Sequence, residues 1–282
     1  MKKRWLLPLL LAAACSTPPQ NPGEVYVLRK QAESQLDLGN KQADRGSYGP
    51  ALVLLDEAWR LAVAADSQSL RVRTGLSRGN VLFALGRREE AAEVWRTALD
   101  EAEKMPSPEL TAVSRIHIAR GRLLSPGGDM AAAAQSVQEE TSREMARIKN
   151  DRLYIAFAWT VIALAEKELG RFAEAEAAVK GALELHEKGR HFEQAAYDWF
   201  LIASIRSFAK NYSGAAAALE AAMAFDRRVE NSWGLAADWR ALGDIYKKAG
   251  NAEAARGAYL RSAEIFRSIG SNEAANETEN RQ

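Results

Sequence analysis

Few residues of this chain combine the type and the spacing that chemistry requires. Cys15 is the only cysteine in 282 residues, so no disulfide can form within the chain. The three histidines are His117, His186 and His191, and the last two lie five residues apart across a boundary marked by Gly189. Chelation from one helix face wants a spacing of three or four, so these side chains read as packing or surface groups. The acidic pairs Glu89-Glu90 and Glu139-Glu140 have arginine nearby and read as solvated helix faces. Gly127-Gly128 lacks the lysine and following hydroxyl residue of a phosphate loop, and no nucleophile motif has a base in view. The expectation is a non-enzymatic protein without metal or cofactor. A net charge of +1 gives no electrostatic reason to expect nucleic acid.

The elements that would position any site repeat along the chain. Ala51, Ala91, Ala133, Ala175, Ala215 and Ala255 follow one another at steps of 40, 42, 42, 40 and 40 residues. Twelve residues before each stands a second small residue: Gly39, Gly79, Gly121, Ala163, Ala203 and Gly243. A fixed period between about 20 and 50 residues is the mark of a solenoid, and solenoids hold partners more often than they transform substrates. Abundant alanine, scarce proline and no long apolar-polar alternation favour helix throughout. Gly46, Gly86, Gly128, Gly170 and Gly250 mark the turn after the first helix of a unit, with Lys210 as the break in that series. The seven-residue echo of the alanine ladder, at Ala58, Ala98, Ala182 and Ala222, has Ser262 in the sixth unit and Glu140 in the third.

The spacing predicts twelve helices, near 24–45, 48–66, 67–85, 88–104, 108–124, 129–148, 150–169, 172–188, 191–209, 212–228, 232–249 and 252–268. Met105-Pro106-Ser107-Pro108 opens the least regular unit, and Ser125-Pro126-Gly127-Gly128-Asp129 ends its first helix early in a longer, looser loop. Residues 271–282 read as a solvated polar tail or an added capping turn.

At the amino terminus Lys2, Lys3 and Arg4 precede an apolar run from Trp5 to Leu11, too short to span a bilayer, for which about 20 residues are needed. This reads as a secretory signal over residues 1–14, and with its three cations set aside the net charge of +1 becomes −2. Leu11-Ala12-Ala13-Ala14-Cys15 resembles the lipobox of bacterial lipoproteins, with leucine one place earlier than that family prefers. The resemblance implies that Cys15 is acylated and becomes the first residue of the mature chain. The alternative is an ordinary cleavage site formed by Ala12 and Ala14. Residues 15–23, with Pro18, Pro19 and Pro22, read as an extended tether. Ser16 stands where the lipoprotein sorting pattern has aspartate for inner-membrane retention, which leans toward the outer membrane, facing the periplasm.

Trp239, Leu242, Gly243, Tyr246, Gly250, Ala255 and Tyr259 resemble the tetratricopeptide repeat, and the resemblance extends over residues 24–270. It implies an all-α, right-handed superhelical solenoid of about six helix-turn-helix repeats. It also implies that Trp159, Trp199 and Trp239 pack between helices, and that helix A of each repeat lines a concave groove. Carrying the family's contact places across gives Asn40, Asp44, Arg73, Asn80 and Phe83 in the first two units and Arg115 and Arg122 in the third. The fourth and fifth give Phe157, Thr160, Leu164, Tyr197, Phe200, Ser204 and Phe208, and the sixth gives Arg240, Asp244, Lys247 and Lys248. A primary amide at Asn40 or Asn80 can donate to and accept from one peptide unit, and the Arg115–Arg122 pair could receive a carboxylate or phosphate or simply be solvated. The aromatic stripe could anchor a partner or face the core. Leu36 and Leu76 stand where the carboxylate-clamp type has lysine, which disfavours a receptor for acidic chain ends. The implied function is a lipid-anchored scaffold that docks a protein or peptide in an envelope complex. The alternative is a ligand-handling accessory of a periplasmic solute transporter, with a closed apolar cavity near Phe157, Tyr197 and Phe208.

Overall fold

Seventeen-residue helices and three-residue turns account for the forty-residue period. The computed structural model describes residues 23–125 and 128–281 and contains, among them, thirteen helices. They are α1 (Glu24–Asp44), α2 (Tyr48–Ala64), α3 (Gln68–Ala84), α4 (Arg88–Glu103), α5 (Pro108–Leu123), α6 (Met130–Met145), α7 (Arg152–Glu168), α8 (Phe172–Gly189), α9 (Phe192–Phe208), α10 (Tyr212–Arg228), α11 (Ser232–Lys248), α12 (Ala252–Ser268) and α13 (Asn272–Glu279). Each odd helix through α11 forms an antiparallel hairpin with the even helix after it, and second-neighbour packing runs through the odd helices from α1 to α11. The odd helices are therefore helix A of six repeats and line the inside of a superhelical solenoid. The expected twelve helices become thirteen because the chain after Ser271 forms α13. Its Ala274 and Ala275 are buried against Ala263 and Phe266, so this segment caps the exposed end of the last hairpin.

One turn geometry serves both inside and between repeats. After α1, α2, α3, α7, α9, α10, α11 and α12 the residue beyond the C-cap adopts a left-handed backbone, at Gly46, Asp66, Gly86, Gly170, Lys210, Glu230, Gly250 and Gly270, and after α8 the C-cap Arg190 itself does so. The next amide then reaches back to a carbonyl five residues earlier, as in Ser47 N to Gln42 O at 2.9 Å and Asn211 N to Arg206 O at 2.8 Å. Lys210 therefore keeps the geometry that its glycine counterparts adopt at less steric cost. At the boundary between the fourth and fifth repeats the left-handed residue is Arg190, not Gly189, which is the last residue of α8.

The ladder packs small residues under large ones. A Cβ built on Gly39 would stand 2.7 Å from Leu55, one on Gly79 would overlap the Trp95 indole, and one on Gly243 would stand 2.5 Å from Tyr259. The helix-A residue thus makes room for the bulky side chain four places after the helix-B alanine, rather than only for that alanine. Trp95 is fully buried, donates Nε1–H to the Leu76 carbonyl at 3.2 Å and also presses on Gly121 of the next hairpin. Trp159, Trp199 and Trp239 are half-buried and pack against the main core, as the resemblance implied.

The third repeat departs from the expected register. Ala133 is only half-buried, whereas Ala134 is fully buried, and Thr141 rather than Glu140 takes the buried place seven residues on. On α5 the fully buried small residue forty after Gly79 is Ala119, and Gly121 faces Trp95 of the preceding hairpin. The extra residues lie between the end of α5 at Leu123 and the start of α6 at Met130, and between Met145 and the start of α7 at Arg152. Helix α6 stops at Met145 rather than near residue 148, because Glu109 on α5 accepts the amides of Lys149 and Asn150 at 2.8 and 2.9 Å and holds that loop out of helix. Asp129 and Asp151 then cap α6 and α7 by accepting hydrogen bonds from first-turn amides.

Buried polar contacts join the last repeats at matching places. His186 on α8 lies 2.6 Å through Nδ1 from Asp198 on α9. Forty residues later, Asp226 on α10 and Asp238 on α11 face each other, with Asn231 donating to Asp226 at 2.9 Å. Burial raises both carboxyls, and the charge of Asp226 raises Asp238 further, so the pair holds a proton at neutral pH.

Three expected outcomes follow for stability. Gly79→Ala should destabilise the protein by about 1–3 kcal/mol in urea unfolding, because its methyl meets the Trp95 ring. Gly257→Ala, on the exposed face of α12 with nothing within 4 Å of the new Cβ, should instead be neutral or stabilising by up to about 1 kcal/mol. Because folding raises the Asp226 and Asp238 carboxyls, their favourable contribution is complete at acid pH and is lost as pH rises through the raised values. Between pH 5 and 9 the wild type should lose stability on the order of 1–3 kcal/mol that Asp238→Asn retains, as read from urea midpoints across that range.

Candidate functional site

The inner face closes on itself. The turn between α1 and α2 brings Gly46 against the indole of Trp233 at the start of α11, where any Cβ on Gly46 would overlap the ring. Tyr48 meets the same indole edge-on with ring centres 6.5 Å apart, and Trp233 is braced from behind by Phe266 at 4.9 Å. Beside this contact Gln194 on α9 donates Nε2–H to Asp44 Oδ2 at 3.1 Å, across 150 residues of sequence. The first repeat therefore touches the fifth and sixth, and the concave surface becomes a half-open chamber.

The chamber has a volume of about 350 Å³. Its walls are Asn40, Ala43 and Asp44 from α1, Tyr48 from α2, Ser77, Asn80 and Val81 from α3, Val113 and His117 from α5, Tyr154 and Phe157 from α7, and Gln194 from α9. The lining drifts from the C-terminal end of α1 through the middle of α3 and α5 to the N-terminal end of α9. That drift is the tilt of the superhelix, and it means that no single set of repeat places faces inward throughout.

His117 is buried and stacks on Phe157 with ring centres 4.2 Å apart. Burial, with help from the Arg120 charge, pushes its imidazole down to about 3, so the ring is neutral. Its Nδ1 lies 3.0 Å from Asn80 Oδ1, and with the amide oxygen as acceptor Nδ1 carries the proton. Asn80 is thereby oriented with its amide nitrogen free to donate. Asp44 is accessible to water inside the chamber yet surrounded by protein, and this enclosure together with the nearby Glu193 charge raises its carboxyl to about 6, against the hydrogen bond from Gln194. Burial raises the Tyr154 and Tyr48 phenols, and the Asp44 charge adds to the shift at Tyr48.

Of the residues expected in the groove, Asn40, Asn80 and Phe157 come together in the chamber, and Asp44 joins them. Arg73 is exposed on α3 and is not part of the lining. Phe83 is half-buried and stacks on Trp95 at 5.8 Å. Arg115 and Arg122 do not form a paired anion site. Arg115 is held by Glu103 at 2.8 Å and Glu144 at 3.3 Å, and Arg122 pairs with Glu140 on α6. The two-residue displacement at Ala119 explains both: the residue in Arg73's place on α5 is Val113, which does line the chamber.

Thr160 and Leu164 are buried. The aromatic stripe divides rather than running along one face. Tyr197 is 46% exposed and stacks on half-buried Phe200, while Phe208 is 54% exposed at the end of α9 between the ammonium groups of Lys167 and Lys248, 4.7 and 5.6 Å from its ring. Phe157, Tyr197 and Phe208 thus enclose no common apolar cavity. In the sixth repeat Arg240 lies 3.7 Å from Glu277 of α13, Asp244 receives the Arg281 guanidinium at 3.0 Å, and Lys247 donates to the Arg281 carbonyl at 2.7 Å. These charges dock the C-terminal cap. Leu36 and Leu76 are core residues.

Sequence reasoning missed Tyr48, Ser77, His117, Tyr154 and Gln194 as chamber residues. A signal existed only for Ser77 and His117, which stand forty residues apart at one place of the repeat, two before the ladder residues Gly79 and Ala119. Cys15, the expected acylation site, lies outside the described residues. Among the described residues no group of three or more His, Cys, Asp or Glu side chains is placed to hold a metal ion, and no helix is long and apolar enough to cross a membrane.

No protein-family model matches the sequence, and no curated protein matches it. Solved structures do. BtubC from P. vanneervenii superposes with a TM-score of 0.56 at 18% identity, covering 85% of this chain and 92% of that one. A Rap protein in complex with competence and sporulation factor gives 0.60 at 15% identity over 89% and 73% of the two chains. PilW, described as a widely conserved type IV pilus biogenesis factor, gives 0.50 at 19% identity over 87% and 97%. At such identities the likeness is one of fold. The paired helical hairpins and these superpositions together make this chain a tetratricopeptide-like superhelical solenoid.

Proposed function

We propose that the protein is a non-enzymatic, lipid-anchored scaffold that holds a peptide segment of a partner protein inside its solenoid, in a bacterial cell-envelope complex. The observation that carries the reading is the chamber. Amide groups from α1, α3 and α9 surround a space open to water, with aromatic rings from α2 and α7 beside them. An extended peptide leaves its backbone groups unpaired, and side-chain amides fixed on rigid helices supply donors and acceptors without the entropic cost of ordering a loop. Tyr197 and Phe200 lie on α9 as exposed and half-buried apolar surface near the chamber.

The anchoring half of the reading rests on the Ala12-Ala13-Ala14-Cys15 stretch and the Ser16 that follows it. Two or more acyl chains on Cys15, at about 0.8 kcal/mol per buried methylene, would hold the protein on a membrane, and the proline-containing tether would stand the first helix off its surface. The reading as a small-molecule accessory of a transporter has less support, since the three aromatics it needs are divided between the chamber and the outer rim of α9.

Affinity capture from detergent-solubilised membranes tests the scaffold reading. The wild type should recover a defined partner, and Asn40→Ala combined with Tyr197→Ala should lose it at least about tenfold. Recovery of no partner, or of the same partner by the double variant, would contradict it. Metabolic labelling with a radioactive fatty acid should mark the wild type and not Cys15→Ser, and equal labelling of the two would remove the anchor.

A further inference from the structure

The chamber reading leaves open what kind of peptide enters, and its charges narrow the choice. Among the chamber-lining residues the one formal charge is the Asp44 carboxylate; the only other ionisable groups are two tyrosines and His117, whose ring is neutral. Asp44 accepts one hydrogen bond, from Gln194, and no Lys or Arg among the described residues pairs with it. By contrast the basic side chains nearest the inner face in the sixth repeat are occupied: Arg240 and Lys247 by the C-terminal cap, and Lys248 over Phe208. Asp44 keeps an exposed edge toward the chamber with the like charge of Glu193 beside it, and a cation entering the chamber would offset that repulsion. The half-buried rings of Tyr48 and Phe157 share the same lining and present aromatic surface of the kind that favours ammonium and guanidinium groups.

Resting on the reading above, we propose that the chamber receives the ammonium or guanidinium group of a lysine or arginine side chain on the bound peptide, with Asp44 as its counter-ion. The volume, near the small end of ligand pockets, suits one long side chain rather than a folded element. Asp44 and Glu193 repel an acidic side chain at their end of the chamber, while the Arg73 guanidinium stands against the Tyr154 phenol at the α7 wall. Asp44 comes to this place through ring closure: its partner Gln194 is four hairpins away, and Tyr48 beside it is held by Trp233. The groups that face Asp44 are Tyr48 from α2 and Glu193 and Gln194 from α9, with Tyr197 of α9 beside Tyr48.

The test is selection of random heptapeptides on the immobilised protein at pH 7.5. The recovered binders should share a lysine or arginine. A synthetic binder should lose affinity at least about tenfold when that residue is exchanged for norleucine, and to a similar degree against Asp44→Asn, whose fold is checked by circular dichroism and whose amide retains a hydrogen bond with Gln194. Lowering the pH from 7.5 to 5 carries Asp44 through its value of about 6 to the neutral form, so binding should weaken for the wild type and stay level for Asp44→Asn. Binders that lack basic residues, or that bind Asp44→Asn as well as the wild type, would overturn the cation inference and leave the peptide-holding function standing. Recovery of no binders at all would overturn both.

Discussion

The inner surface of this solenoid is a chamber rather than an open groove because one indole rests on one bare stretch of backbone. Trp233 lies where Gly46 has no side chain, and Gly46 also carries the left-handed conformation that ends the first helix. Glycine is demanded there twice over: by the turn, which any residue enters at some steric cost, and by the contact, which no Cβ permits. The closing surface is small, made by Gly46, Tyr48 and Trp233 with the Asp44–Gln194 hydrogen bond beside it. The peptide-holding half of the proposed function depends on it, since closure brings α1 opposite α9 beside the Asp44 carboxylate.

The array itself was legible because its packing is local. Each hairpin buries a small residue of helix A beneath a bulky one of helix B, so the same types return every forty residues and the sequence shows it. The third repeat misled where a marker of the right type stood two residues from the right place. Gly121 is small because Trp95 of the preceding hairpin presses on it, while Ala119 carries the ladder. Following the glycine put Arg115 and Arg122 on the inner face, and the structure binds each to glutamates of neighbouring helices instead.

The site was less legible for a geometric reason. A superhelix tilts each repeat against the last, so the lining slides along helix A from Asp44 near the end of α1 to Gln194 near the start of α9. One list of repeat places therefore finds the chamber only where list and lining cross, at Asn40, Asp44, Asn80 and Phe157. Contacts between the first repeat and the last two leave no periodic trace. Nothing near Trp233 in sequence points to Gly46, and nothing near Gln194 points to Asp44. The segment that forms α13 was legible only as a choice between a solvated tail and a capping turn, and the burial of Ala274 and Ala275 against Phe266 decides for the cap.

Closure of the ring is the claim from which the chamber, its acid and its ligand class all follow. Spin labels on the exposed positions Arg45 and Glu230, introduced in a Cys15→Ser background, would report it as a distance distribution by double electron–electron resonance. The account predicts one narrow, short distance in the wild type and a broadened, longer one in Trp233→Ala. A broad, long distribution in the wild type, or one that Trp233→Ala leaves unchanged, would contradict it.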